Sequence, residues 1–262
     1  MSARRPPVFI ITTAALASLA LAMMADLGLL DGPQLRRGAV NAAVFVRELF
    51  PPSAQPLATL FDAMLETLQI AYVGTVLGFI GALPLAILAT RTIFGQPITG
   101  PVRLLLAGVR TVPALLWAVV FVVAFGLGPA AGAMGIAAYT LGYLGKLLYE
   151  VFEGVDSEVV DAVWSVGCNR VQLTRFALLP EAANQILSQL LFVFEYNVRA
   201  SSIMGFVGAG GIGFHLLGYL QLLQYQHLFT ALLLTLGVVL LIDYASGRLR
   251  RLVLPPATAG RA

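Results

Sequence analysis

Charge is what this sequence lacks most. Of its 262 residues only 11% are Asp, Glu, Lys or Arg, while 59% are hydrophobic and the mean hydropathy is +0.88. A soluble domain carries about 25% charged residues, so an ordinary water-facing globule is excluded and lipid becomes the expected solvent. Cysteine occurs once, at Cys168, which excludes an internal disulfide. With no His or second Cys near it, that thiol reads as structural. The two histidines, His215 and His227, are isolated in sequence and fit an interfacial role better than a catalytic one. No G-x-x-x-x-G-K-[ST] stretch is present. Gly145-Lys146 comes nearest, but Leu147 follows it and Thr140 stands where the first glycine belongs. The chain is therefore expected to bind no ATP, metal or other cofactor, to hold no catalytic residue and to have no nucleic-acid partner.

Long apolar runs are present in their place. Residues 8–25 are apolar throughout and long enough to span a bilayer. A cleaved signal peptide is the competing reading, with Ala20-Leu21-Ala22 as its cleavage site, but the run exceeds a usual signal core and a retained span is favoured. Residues 26–62 form a mixed connector with the breakers Pro33, Pro51, Pro52 and Pro56. Within it, 38–50 suits a helix lying at the membrane surface, with an irregular loop as the alternative. Further spans are expected at 64–90, 111–127, 131–149, 182–207 and 228–244, six in all. Gly74, Gly78 and Ala82 recur at four-residue spacing in the second, where small residues let helices approach closely. Pro113 breaks the third near its start.

The bases orient this arrangement. With both termini inside, twelve Lys and Arg fall on the inner side and three (Arg36, Arg37, Arg47) on the outer, with Arg199 within a span. The polar stretch 150–181 then faces the cytoplasm. It carries Glu150, Glu153, Asp156, Glu158, Asp161 and Glu181 against Arg170 and Arg175. Asp156 or Ser157 caps a short helix there, Glu158 suits its first turn, and Gly167 ends it. A second short helix runs to Leu179, and Pro180 restarts the chain as a first-turn residue. Val159, Val163, Trp164 and Val166 are expected to be exposed, an apolar cluster with a polar rim of the kind that marks a docking surface. A plain linker is the alternative.

Asp161-Ala162-Val163, then Gly167, then Leu179-Pro180 resembles the cytoplasmic signature of ABC-importer permeases, Glu-Ala-Ala with a glycine four residues on and a later Ile-x-Leu-Pro. This chain departs from it at Asp161, Val163 and Ala177. The resemblance implies a coupling helix seated in a groove of a separate ATPase subunit, with contacts from Asp161 to about Arg170, including Ala162, Trp164, Gly167 and Asn169, and with Leu179 and Pro180 completing the motif. Asn197–Gly213 is similar to the corresponding segment of phosphonate-type permeases, and methionine importers carry a related glycine run. The resemblance covers roughly residues 60–251.

Two further stretches stand out. Glu195, Asn197, Arg199, Ser201 and Ser202 lie inside the fifth span, where charge must face a partner or water. Glu195 and Arg199 are spaced to neutralise each other within one helix. Alternatively, this face lines a pore and offers donors to an anion. Gly208, Gly210, Gly211 and Gly213 formally fit G-x-G-x-x-G, but an apolar helix precedes them and no acid stands at the required offset, so a flexible turn is expected.

The expected fold is an all-α membrane protein, a six-helix bundle like a type I ABC-importer permease. Residues 1–59 would be an N-terminal span and external connector, 60–251 a permease core with the 150–181 loop, and 252–262 a cytoplasmic tail. The resemblance implies transport, not enzymatic activity: import of phosphonate or a related phosphorus oxyanion across the bacterial inner membrane. It also implies ATPase subunits as partners, a second permease copy or paralogue, and an external substrate-binding protein. A methionine-type importer, a stand-alone secondary transporter and a scaffold without transport are the alternatives.

Overall fold

The computed structural model describes residues 7–253, and among them every regular element is helical. Arg4, Arg5, Arg261 and most of the expected tail lie outside the described residues. The chain divides at Pro51/Pro52 into two units. The first carries α1 (Pro7–Asp26) and α2 (Gly32–Glu48), joined by a turn in which Gly28 has a positive φ. α2 starts well before the expected 38, because Pro33 sits in its first turn, where a missing N–H costs nothing.

The second unit contains α3 (Leu57–Ala89), α4 (Gln96–Thr111), α5 (Ala114–Phe125), α6 (Pro129–Glu153), α7 (Ser157–Ser165), α8 (Arg170–Leu173), α9 (Leu179–Met204), α10 (Ile212–Gln221) and α11 (Tyr225–Val253). Among the described residues, four helical stretches are long and apolar enough to cross a membrane: Phe9–Asp26, Leu57–Ala89, Arg170–Val207 and Tyr225–Leu252. The pair α4–α5, bent by 86°, supplies a fifth. Length and apolarity by themselves thus pick out up to five of the six expected spans, and α6 is the one they miss. α5 has 12 residues, roughly 18 Å at 1.5 Å each, too short to cross alone once Val112-Pro113 has broken the span. α6 is long enough but not apolar enough, since glycines, tyrosines and Lys146 dilute it.

The packing gives the reason. α6 lies at the centre of the bundle, against α3, α4, α5 and α9, so its contacts are mainly protein. A Cβ at Gly74 or Gly78 of α3 would fall 2.6 Å from Ile136 Cβ or 2.5 Å from Thr140 Cβ, and Ala82 is fully buried. The small-residue stripe read in the sequence is thus the α3–α6 seam. On other faces of α6, Gly135 admits the backbone of Ala118 and Gly142 that of Arg110. Close backbone approach replaces the hydrophobic drive that lipid removes.

The expected fifth span, 182–207, is the later part of one helical run from Arg170 to Val207. Pro180 does not stop it, because Thr174–Leu178 is π-helical and Leu179 donates to the Thr174 carbonyl. That wider turn absorbs the proline in an otherwise continuous helix. α10 adds a short helix between the expected fifth and sixth spans.

Candidate functional site

At one end of the bundle the polar stretch forms a short helical projection. Asp156 Oδ1 accepts from Glu158 N–H at 3.0 Å and caps α7. Gly167 ends that helix region with φ +79°, its N–H on the Trp164 carbonyl at 3.0 Å. Nothing lies within 4 Å of where its Cβ would be, so the backbone angle and not space calls for glycine. Asn169 then opens α8 with a capping box, its side chain accepting from Gln172 N–H at 2.9 Å and its own N–H donating to Gln172 Oε1 at 2.8 Å.

One side of α7 is held on the bundle. Val160 is buried in a cluster with Val151, Phe152, Leu173, Ala177 and Leu178, and Val159, Val163 and Cys168 pack half-buried against it. The expectation that Val159 and Val163 are exposed is therefore corrected: the helix needs them to sit down. The outward side carries Asp161, Ala162, Trp164 and Val166, the last 80% exposed. Arg170 lies 5.2 Å from the Phe94 ring, and with Ile87, Val171, Thr174, Arg175 and Leu179 these residues line a mostly apolar cavity of about 440 Å³. Pro180, next to Leu179 in the chain, is exposed.

The base of this projection is fastened by a cluster that local sequence does not reveal. Glu153, at the end of α6, takes a salt bridge from Arg103 Nη2, and the Arg91 N–H donates to it at 2.9 Å. Arg103 Nε also donates to the Ala89 carbonyl at 2.9 Å, and its guanidinium lies 4.3 Å from the Tyr149 ring. Lys146 and Glu150 pair at 3.0 Å one turn earlier.

Within the bundle, Glu195 and Arg199 do not neutralise each other. Arg199 Nη2 donates to both carboxylate oxygens of Asp243 (2.8 Å to each), and Glu195 is bonded to Arg250. Glu195 and Arg199 of α9 are thus matched by opposite charges on α11, and a charge-assisted hydrogen bond is a stronger arrangement than an exposed i,i+4 pair. Asn197 is buried and donates to Thr75 Oγ1 (2.8 Å) and Thr140 Oγ1 (2.9 Å), tying α9 to α3 and α6. Ser201 donates to the Thr67 carbonyl at 3.1 Å, and Ser202 to that of Val198 at 3.0 Å. The stretch that reads in sequence as one functional face is thus divided: Asn197, Ser201 and Ser202 face the interior, while Phe192, Tyr196, Arg199, Ile203 and Phe206 lie on the outer side of the run.

In the glycine turn Gly208, Gly210 and Gly211 have positive φ, and the segment is closely packed. A Cβ at Gly205 would fall 2.2 Å from Phe214 N, and one at Gly213 would fall 2.4 Å from the Ser202 carbonyl oxygen. Ile212 N–H donates to Thr67 Oγ1 at 2.8 Å, and Gly128 N–H to the Gly208 carbonyl at 2.9 Å. The histidines are not isolated. Both flank the Tyr219 ring, His215 at 6.2 Å and His227 at 5.4 Å, and burial pushes the Tyr219 hydroxyl above its usual pKa.

The chain matches the family described as "Binding-protein-dependent transport system inner membrane component" over residues 82–255. It is 36% identical over 225 residues to the phosphite transport system permease protein PtxC of Stutzerimonas stutzeri, covering 86% of this chain and 82% of that one. It is 36% identical over 212 residues to the phosphate-import permease protein PhnE of Mycolicibacterium smegmatis, covering 80% of this chain and 40% of that one. Among solved structures, a chain of the inward-facing MetNI methionine ABC transporter superposes with a TM-score of 0.65 at 25% identity, covering 77% of this chain and 99% of that one. The packed helices, the projecting loop and the matched region together make this chain a multi-pass inner-membrane component of a binding-protein-dependent transport system, a permease and not an enzyme.

Proposed function

We propose that this permease carries a phosphorus oxyanion of the phosphite, phosphonate or phosphate class inward, powered by separate ATPase subunits. The substrate class rests on the relatives named for phosphite and phosphate transport. The observation that carries the mechanism is α7, held on the bundle through Val160 while Asp161, Ala162, Trp164 and Val166 face outward. Docked on an ATPase, such a helix transmits force through the Arg103–Glu153 cluster to the ends of α3 and α6. ATP is bound by the partner, and this chain holds no cofactor.

Two permease copies form the path, identical in the simplest case, with both termini and the α7 loop in the cytoplasm. The outer α9 stripe lines the path, including Arg199, and the paired Glu195 with Asn197, Ser201 and Ser202 keeps that stripe in place. The glycine turn lies on the side where a substrate-binding protein delivers the anion.

The test is uptake of radiolabelled phosphite by the complex of permease, ATPase and binding protein in proteoliposomes. Asp161→Lys is expected to abolish uptake and uncouple ATP hydrolysis while membrane insertion is retained. Uptake at the wild-type rate would sink the docking role. A methionine-type importer is the second reading, favoured by the likeness to the methionine transporter. Methionine uptake without phosphite, phosphate or methylphosphonate uptake would establish it.

A further inference from the structure

Arg199 and Arg250 each meet a carboxylate, but Arg110 does not. Among the described residues no Asp or Glu lies within ion-pair distance of it, and its Nε is buried without a hydrogen-bond partner. Its depth is unusual as well. The Arg110 backbone N would lie 2.7 Å from a Cβ at Gly142, which is half-way along α6 (Pro129–Glu153). An unpaired cation at that level is costly in a membrane and is retained where it faces water or a ligand.

Its surroundings suit an anion. Tyr139 and Tyr143, one turn apart on α6, stack at 5.7 Å, and Tyr196 of α9 stacks on both at 5.8 Å and 6.3 Å. Gly142, where the Arg110 backbone meets α6, stands one turn from Tyr139 and next to Tyr143, so the arginine's backbone and the tyrosine stack share one level of the bundle. Tyr196 belongs to the outer α9 stripe, so the cluster opens at the surface assigned to the path. Directly after Arg110 the chain breaks at Val112-Pro113 and turns by 86°, with Trp117 Nε1 donating to the Val109 carbonyl at 3.1 Å across the corner. Broken helices at mid-depth are where transporters place polar groups against substrate. A guanidinium with neighbouring hydroxyl donors matches the acceptor-rich oxygens of an oxyanion.

We propose that Arg110, with the hydroxyls of Tyr139, Tyr143 and Tyr196, forms the subsite that receives the phosphorus oxyanion midway across the membrane. This inference rests on the substrate class proposed above. It separates two arginines that sequence alone treats alike: Arg199 is neutralised by Asp243, and Arg110 is left for the substrate.

The experiment uses the full complex in proteoliposomes, with radiolabelled phosphite as the probe and ATP hydrolysis stimulated by the loaded binding protein as the parallel readout. For Arg110→Gln, phosphite uptake is expected to fall about 100-fold, the loss of a charged hydrogen-bonding partner, while stimulated hydrolysis stays within about twofold because the α7 loop is untouched. Arg110→Lys keeps the charge without the fork and is expected to retain about a tenth of the rate. Tyr196→Phe, which leaves the ring stacking intact, is expected to lose about fivefold for one neutral hydrogen bond. Wild-type uptake by Arg110→Gln overturns the subsite. So does a parallel loss of uptake and hydrolysis in all three variants, which would mark Arg110 as structural. A wild-type complex that carries none of phosphite, phosphate and methylphosphonate overturns the substrate class itself, a distinguishable failure.

Discussion

At one end the helical run through α9 is entered from a polar loop, and at the other it leaves through a glycine turn. Both breaks depend on glycines with positive φ, but they are held by opposite means. Around Gly167 the shape comes from neighbours in sequence: Asp156 caps α7, Asn169 and Gln172 cap α8, and the space beside Gly167 is open. Around Gly205–Gly213 the shape comes from parts of the chain far away: Thr67 accepts from Ile212, Gly128 donates to Gly208, and a Cβ at Gly132 would fall 2.6 Å from the Ala209 carbonyl oxygen. A surface that docks a partner has to be formed before the partner arrives, and local caps achieve that. A turn that closes the far end of a bundle can be formed by the bundle itself.

This difference can be broken or sharpened by substitution. The largest effect is expected at the packed turn. Gly205→Ala would place a Cβ 2.2 Å from Phe214 N and 2.5 Å from Gly213 C, both backbone atoms that cannot step aside. A loss of about 3 kcal/mol or more is expected, at the upper end of overpacking costs, read as a lower melting temperature and reduced yield of folded protein in detergent. An unchanged melt would show that the turn yields and that the contrast is false.

Asn197→Ala comes next. It removes the donor that Thr75 and Thr140 share, and about 1–2 kcal/mol of stability should go with it, measured by the same melt. Asn197→Asp should cost at least as much, because a buried amide donor is replaced by an acceptor. Recovery with Asp would contradict donation from Asn197 to the two threonine hydroxyls.

At the loop the expected effect on stability is smaller. Gly167→Ala meets no atom and is opposed only by its left-handed backbone, about 1 kcal/mol, and should act on α7 alone. Hydrogen exchange should rise across α7 with the global melt nearly unchanged. A drop as large as that of Gly205→Ala would mean that the loop is a structural keystone. Asp156→Ala should loosen the same helix by about 1 kcal/mol or less, again without moving the global melt. The smallest effect is expected for Gly218→Ala in α10, where nothing lies within 4 Å of the new Cβ and φ is not positive. It should be neutral or slightly stabilising, and a large loss there would show that glycine position alone does not sort these sites.

The loop is legible in sequence because its signals are short-range. Asp156, Glu158, Gly167 and Pro180 each state a local preference, and the structure adds mainly that Val159 and Val163 turn inward. Charges at membrane depth are only half legible. That Glu195 and Arg199 need partners follows from the cost of burying charge, but their partners Arg250 and Asp243 lie more than forty residues on, in another helix. In sequence Arg110 is simply one of the inner-side bases. A sequence does not show how far into the bundle a bent helix carries its last turn.

The sequence by itself determined that this chain lives in lipid, since too few charges are present to solvate a surface. It also determined that its polar stretch holds short capped helices around Gly167, because caps and turn glycines act over three or four residues. Only the tertiary structure decided which helix becomes the core. α6 has the glycines to admit its neighbours, so it is central, and the same glycines, with its tyrosines and Lys146, lower its apolarity. The structure also decided which charges are satisfied. Ion pairing across helices depends on the height and direction of two segments at once, and no single stretch of sequence holds both.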